Sequence, residues 1–120
     1  MKALTLSFLT LAGLAIAAPA FATPDNTAGM AMLGAAVAAD GTLLSGSGVT
    51  GITHMIKGGY QVRFDRDVSL CFYNTTVTDG PASTTAEPDS SDEKAVLVSL
   101  FDVNNSPENI RFYLLIYCSQ

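Results

Sequence analysis

Residues 110–118 read IRFYLLIYC, a stretch in which only Arg111 is charged. In a β-strand, successive side chains point to opposite faces of the sheet. Both faces of this strand are apolar: one carries Ile110, Phe112, Leu114, Ile116 and Cys118, and the other carries Tyr113, Leu115 and Tyr117. A strand with two apolar faces is either central in the fold or part of an oligomer interface. We therefore predict that Tyr113, Leu115 and Tyr117 form a binding or interface surface.

Apolar residues alternate with polar ones upstream of this strand as well, and no segment after Ala22 shows the 3.6-residue apolar period of a helix. The alternation predicts strands over about 31–39, 42–46, 49–56, 60–64, 69–77 and 95–101, followed by the last strand. About seven short strands at hairpin spacing predict an all-β fold, either a small antiparallel β-sandwich or a partly open barrel.

The hairpin of residues 49–56 and 60–64 has two possible registers. A three-residue loop, 57–59, pairs Ile56 with Tyr60, His54 with Val62, and Ile52 with Phe64. A two-residue loop instead scatters the large apolar side chains over both faces of the hairpin. We therefore predict the three-residue loop, which places His54 on or beside the apolar side of this hairpin.

The segment 79–94 lacks any apolar residue larger than alanine and is rich in Ser, Thr and Pro. Three acidic residues, Asp89, Asp92 and Glu93, lie close together near its end. This composition predicts a flexible, exposed acidic loop, and a loop of that length in a small domain is either functional or disordered.

The first 22 residues have the pattern of a signal peptide. Lys2 precedes an almost entirely apolar run, and residues 20–22 read Ala-Phe-Ala, which predicts cleavage before Thr23. The apolar run is shorter than a membrane span requires, and Pro19, directly after it, breaks a helix just before the cleavage site. We therefore predict a single β domain over 23–120 that is exported to the periplasm or the cell exterior, with no stable membrane insertion once the leader is removed.

The chain carries a formal net charge of −5. Without the leader it keeps five basic residues against eleven acidic ones, a net charge of −6. This acidity argues against nucleic acid as a partner. It also disfavours anionic membrane surfaces.

Cys71 and Cys118 are the only cysteines of the chain. In an oxidising compartment, two cysteines predict one disulfide. A bridge that closes a loop this long is expected to stabilise the fold by about 4 kcal/mol. A catalytic thiol is less consistent with the sequence, because there is neither a Cys-x-x-Cys pair nor a histidine at a suitable spacing.

The side chains offer little for catalysis. His54 is the single histidine, and no nucleophile motif accompanies it, so we predict a structural or interface role for this residue. Asp65 and Asp67 flank Arg66, which favours a solvated corner over a cation site. We therefore predict no catalytic residue, no metal site and no cofactor.

Several short motifs resemble small exported bacterial β domains of uncharacterised function. They are Asp40-Gly41-Thr42-Leu43, Gly46-Ser47-Gly48-Val49, Gly59-Tyr60-Gln61-Val62-Arg63-Phe64 and Arg66-Asp67-Val68, followed by Cys71, Phe101-Asp102, Pro107, Phe112 and Cys118. The Gly-x-Tyr-x-Val-x-Phe hairpin is also similar to hairpins in phage tail tips and in secreted collagen-like proteins. The resemblance implies a β fold without catalytic residues, and surface recognition or trimeric assembly.

These features predict a non-enzymatic, exported binding or assembly module. Its partner is expected to be an unknown protein or surface ligand, or a second copy of the chain, contacted through Tyr113, Leu115, Tyr117 and His54. The alternative is a small secreted hydrolase inhibitor or hydrolase that uses the 79–94 loop or His54.

Overall fold

A computed structural model of the chain describes residues 30–119, which form eight β-strands and, within that range, no helix. The strands are β1 (Ala31–Val37), β2 (Leu43–Ser47), β3 (Val49–Ile56), β4 (Gly59–Phe64), β5 (Phe72–Val77), β6 (Ser83–Pro88), β7 (Ala95–Phe101) and β8 (Phe112–Cys118). The predicted signal peptide, residues 1–22, and its cleavage site before Thr23 lie outside the described residues. Between residues 30 and 119 there is no helix long and apolar enough to span a membrane.

The eight strands form two antiparallel sheets of four. Sheet A has the strand order β2-β1-β8-β5, and sheet B has the order β3-β4-β7-β6. The chain passes from sheet A to sheet B at Gly48, between β2 and β3, where a positive φ of 73° permits the sharp change of direction. The predicted all-β sandwich is therefore confirmed, with eight strands where about seven were expected.

The core lies between the two sheets and is built from alternate residues of the four central strands. Its members are Leu33, Ala35 and Val37 of β1, Tyr60, Val62 and Phe64 of β4, Val96, Val98 and Leu100 of β7, and Phe112, Leu114, Ile116 and Cys118 of β8. Strand β8 lies between β1 and β5 in sheet A. This is the central position that the sequence offered as one of two explanations for its two apolar faces.

The predicted register of the β3–β4 hairpin is wrong. Ile56 lies opposite Gly59, His54 opposite Tyr60 and Ile52 opposite Val62, with a register irregularity at Met55. The loop consists of two residues, Lys57 and Gly58, and Ile56 is exposed.

Contacts with distant parts of the chain impose this register. Gly58 has a positive φ of 73°, and a Cβ atom there would lie 2.5 Å from the carbonyl oxygen of Leu100. The amide of Leu100 in turn donates a hydrogen bond to the carbonyl oxygen of Gly58. The hairpin turn is therefore fixed by β7, which a comparison of apolar faces within the hairpin does not take into account.

The prediction of a loop over 79–94 is also wrong, because residues Ser83–Pro88 form β6 and pair with β7 throughout. An edge strand gains its ladder hydrogen bonds from the backbone and needs few large apolar side chains. Small residues are enough on the inner side of β6, where Ala86 packs against the core, as does Ala82 just before the strand. The strand predicted over 69–77 begins at Phe72, because the carboxylate of Asp67 accepts a hydrogen bond from the amide of Ser69 and forms a turn there.

The predicted disulfide is confirmed: Cys71 is bonded to Cys118, with their Cα atoms 4.5 Å apart. Cys118 ends β8 and is buried, whereas Cys71 immediately precedes β5. The bond therefore joins the end of the central strand of sheet A to the start of its edge strand.

We expect the double variant Cys71→Ala, Cys118→Ala to remain folded with a free energy of unfolding lower by about 4 kcal/mol. The reason is the chain entropy that the unfolded variant regains when the loop of 47-residue separation is no longer closed. Guanidinium unfolding followed by circular dichroism measures the loss, with the reduced and alkylated wild-type protein as control. Equal midpoints for the oxidised protein and the variant would contradict the prediction.

Candidate functional site

The outward face of β8 is exposed, although its inward face fills the core. Tyr113, Leu115 and Tyr117 keep between 37% and 47% of their surface accessible, while Phe112, Leu114 and Ile116 are buried. The three residues predicted as a candidate interface therefore do lie together on one solvent-facing side of sheet A.

Strands β1 and β5 extend this surface on both sides of β8. Met32 of β1 and Phe72 of β5 lie directly opposite Tyr117, and directly opposed residues of antiparallel strands share one face. The hydroxyl of Tyr117 donates a hydrogen bond to Sδ of Met30, which immediately precedes β1. Met30, Met32 and Phe72 are between 65% and 76% exposed. We call the combined surface the apolar face; it consists of Met30, Met32, Phe72, Tyr113, Leu115 and Tyr117.

None of the residues in the four strands of sheet A is charged. The nearest cation along β8 is Arg111, whose guanidinium lies 5.6 Å from the ring centroid of Tyr113 and donates a hydrogen bond to its hydroxyl. Sheet B differs, since β4 contains Arg63 and β6 contains Glu87. The apolar face is thus an uncharged area on an acidic protein.

Beside the outward side chains of β8 lies a shallow depression of about 470 Å³. Gly34 and Ala36 of β1 form its floor, and Ser45 and Ser47 of β2 line the side away from β8. In the β1–β8 ladder, Gly34 is opposite Leu115 and Ala36 is opposite Tyr113. Because β1 carries small residues where β8 carries large ones, sheet A presents a ridge and a groove side by side.

Sequence reasoning missed three members of the apolar face, Met30, Met32 and Phe72, and the groove at Gly34. A signal was present, since Met30 and Met32 alternate with the inward residues of β1. This alternation places the two methionines beside Tyr117 only if β1 pairs with β8. The pairing could not be predicted, because the two strands come from opposite ends of the described chain.

His54 does not join the apolar face, because it lies on β3 in sheet B. Its ring stacks on the ring of Tyr60, with centroids 4.6 Å apart and planes 8° apart. Nε2 of His54 lies 2.9 Å from Oδ1 of Asn109, and the same oxygen accepts a hydrogen bond from the amide of Gly58. His54 therefore belongs to the contacts that hold the β3–β4 turn against the segment before β8.

Two acidic residues of the 79–94 segment, Asp89 and Asp92, are held by contacts within the protein. Asp89 is buried and accepts hydrogen bonds from the hydroxyl and amide of Ser91 and from the side-chain amide of Gln61. Asp92 forms an ion pair with Arg63 at 2.9 Å. Within residues 30–119, no group of three acidic, histidine or cysteine side chains is placed to hold a metal ion. The carboxylates of Asp89 and Asp92 therefore stabilise the turn between β6 and β7.

No family model, curated protein or solved structure matches the chain. The functional argument therefore rests on the geometry and chemistry of the apolar face.

The contacts of Asp89 predict a pH-dependent contribution to stability. Hydrogen bonds, chiefly from Ser91 and then from Gln61, lower the pKa of the Asp89 carboxyl below its ordinary value of 3.8. A carboxyl with a lower pKa in the folded state stabilises the fold above its unfolded pKa, and this stabilisation is lost as the pH falls through the folded pKa. We therefore expect Asp89→Asn to reduce the free energy of unfolding at pH 7, and its difference from wild type to shrink as the pH falls below 3.8 and through the lower folded-state pKa of Asp89.

Urea unfolding at a series of pH values measures this difference. The exposed neighbouring residue Ser90 provides the control Ser90→Ala, which should leave the pH profile unchanged. A constant difference between Asp89→Asn and wild type from pH 7 to pH 2 would show that the ionised carboxylate makes no contribution.

Proposed function

We propose that this protein is a non-enzymatic, exported assembly module in which the apolar face of sheet A packs against other copies of the same chain. The observation that carries the proposal is the cluster of six exposed apolar side chains on a sheet without charged residues. Monomeric proteins rarely leave such contiguous apolar surfaces exposed to water.

The composition of the apolar face is that of a protein interface. The buried centres of interfaces are enriched in Tyr, Phe and Met and depleted in charged residues. Tyrosine also recurs among the residues that contribute most to binding, because its large ring is stiff and its hydroxyl remains able to form hydrogen bonds. Here Tyr113 and Tyr117 stand at the centre of the sheet, and Met32 and Phe72 flank Tyr117.

Two features favour a second copy as the occupant. The absence of charge from sheet A lets two acidic chains meet without placing like charges in contact. The ridge of Tyr113 and Leu115 and the groove over Gly34 belong to the same surface, so the ridge of one copy can enter the groove of another. Homo-oligomer interfaces are also the more apolar class of interface.

Export is supported by the disulfide between Cys71 and Cys118, because such bonds persist in oxidising compartments. The signal-peptide pattern of residues 1–22 supports the same localisation, in the periplasm or outside the cell. The resemblance of the Gly-x-Tyr-x-Val-x-Phe hairpin to hairpins of phage tail-tip and collagen-like proteins is in keeping with assembly outside the cytoplasm. The short positively charged start and the Ala-rich end of the leader are typical of a bacterial protein.

The alternative of a hydrolase or hydrolase inhibitor receives less support. His54 is held by a stacked ring and a carboxamide, and the 79–94 segment contains β6, which is paired along its length with β7. We therefore propose that neither feature serves catalysis or inhibition.

The double variant Tyr113→Ser, Tyr117→Ser tests the assembly. We expect the wild-type protein to form an oligomer in size-exclusion chromatography with light scattering, and the variant to associate at least about thirtyfold more weakly. The control is Ile56→Ser, which removes an exposed apolar side chain from sheet B and should leave association unchanged. Wild-type protein that stays monomeric at millimolar concentration would refute the proposal.

Filling the groove provides a second test. A Cβ atom at Gly34 would lie 3.4 Å from the carbonyl oxygen of Leu114, an ordinary contact, so Gly34→Val should fold with a thermal midpoint close to that of wild type. Its side chain would occupy the depression and exclude the ridge of another copy. We expect weaker association by about tenfold or more. Unchanged association would show that ridge and groove do not interlock.

A further inference from the structure

Two of the three methionines between residues 30 and 119 lie on the apolar face. Met30 and Met32 are exposed beside Tyr117, and the third, Met55, is exposed on β3 in the other sheet. Thioethers accept an oxygen atom from hydroperoxides, and exposure controls how readily they do so. The two methionines of the apolar face therefore combine chemical reactivity with a position in the proposed interface.

We propose that Met30 and Met32 are sites of sulfoxidation by hydroperoxides, and that their oxidation prevents assembly. The second half of this proposal rests on the proposed function. In the reaction, a lone pair of the thioether sulfur attacks the outer oxygen of a hydroperoxide ROOH, and the O–O bond breaks. The products are a methionine sulfoxide and the alcohol ROH, or water when the oxidant is hydrogen peroxide; the sulfur is oxidised by two electrons and the peroxide is reduced by two.

The effect on assembly follows from the neighbours of each sulfur. Met32 lies directly opposite Tyr117, and Sδ of Met30 accepts a hydrogen bond from the hydroxyl of the same tyrosine. A sulfoxide is polar and chiral, whereas the thioether is apolar and flexible. Burying the S=O group among Tyr117, Leu115 and Phe72 of another copy would take it out of water with few donors to satisfy it.

Assembly and oxidation must oppose each other. If the sulfoxide weakens association, then association must disfavour formation of the sulfoxide by the same factor at equilibrium. In the assembled protein the two sulfurs are also covered, so the oxidant reaches them more slowly. Met55 lies outside the apolar face and is an internal reference within the same molecule.

The first experiment measures oxidation site by site. The purified protein is treated with hydrogen peroxide at concentrations above and below the midpoint of its association, and sulfoxide at each methionine is followed by peptide mass spectrometry. Because the oligomer covers their sulfurs, we expect oxidation of Met30 and Met32 to slow by about tenfold in the oligomer, while the rate at Met55 stays constant. Equal slowing at all three methionines, or at none, would overturn the proposal.

The second experiment measures assembly after oxidation. Fully oxidised wild type should be monomeric in light scattering while keeping its circular dichroism spectrum. Methionine sulfoxide reductase with dithiothreitol, followed by removal of the reductant and re-formation of the Cys71–Cys118 disulfide, should restore the oligomer. The variant Met30→Leu, Met32→Leu should assemble before and after peroxide, whereas Met55→Leu should lose assembly on oxidation as wild type does. An oxidised wild type that still assembles would refute the inference and leave the proposed function intact. A wild type that is monomeric before oxidation would instead refute the proposed function.

Discussion

The pairing of β8 with β1 and β5 is the interaction on which the rest of the structure depends. Through this central position, β8 delivers Phe112, Leu114 and Ile116 to the core and presents Tyr113, Leu115 and Tyr117 to solvent. The same alternation that fills the sandwich therefore creates its most apolar surface. A shift of β8 by one residue in its pairing would turn the inward side chains to solvent and the outward ones to the core, and would disrupt both the core and the apolar face. Core and candidate interface are thus two results of one register.

Elements with strong local patterns could be predicted from the sequence. Strand β7 lies at Ala95–Phe101, the same residues as predicted, because β-branched and aliphatic side chains fill it and polar segments bound it. The disulfide could be predicted because the sequence has two cysteines and begins with the pattern of a signal peptide. The exposed side of β8 could be named because its alternation is visible in a single strand. In each case the signal lies within a few residues of the element, or depends on composition alone.

The failures share a cause, which is dependence on a distant strand. The β3–β4 register is fixed by Gly58 against Leu100, a contact between β7 and the hairpin turn. Strand β6 contains small and polar residues, and its regular structure comes from pairing with β7. This composition is also typical of a loop, although charged residues and proline, here Glu87 and Pro88, are the residues with which edge strands avoid further pairing. Met32 and Phe72 belong to the candidate site only because β1 and β5 flank β8, and local alternation does not give strand order.

The disulfide both stabilises the fold and holds part of the apolar face in place. Cys71 is bonded to Cys118, and each is adjacent to a member of the apolar face, Phe72 and Tyr117, which lie opposite each other in the β5–β8 ladder. An edge strand is held by one neighbour only, so its first residues are the ones most prone to separate from the sheet. The covalent bond holds Phe72 beside Tyr117 at this point. The same bond that offsets the small size of the core thereby keeps one corner of the apolar face in place, so the preformed arrangement of this face depends on the oxidised state of Cys71 and Cys118.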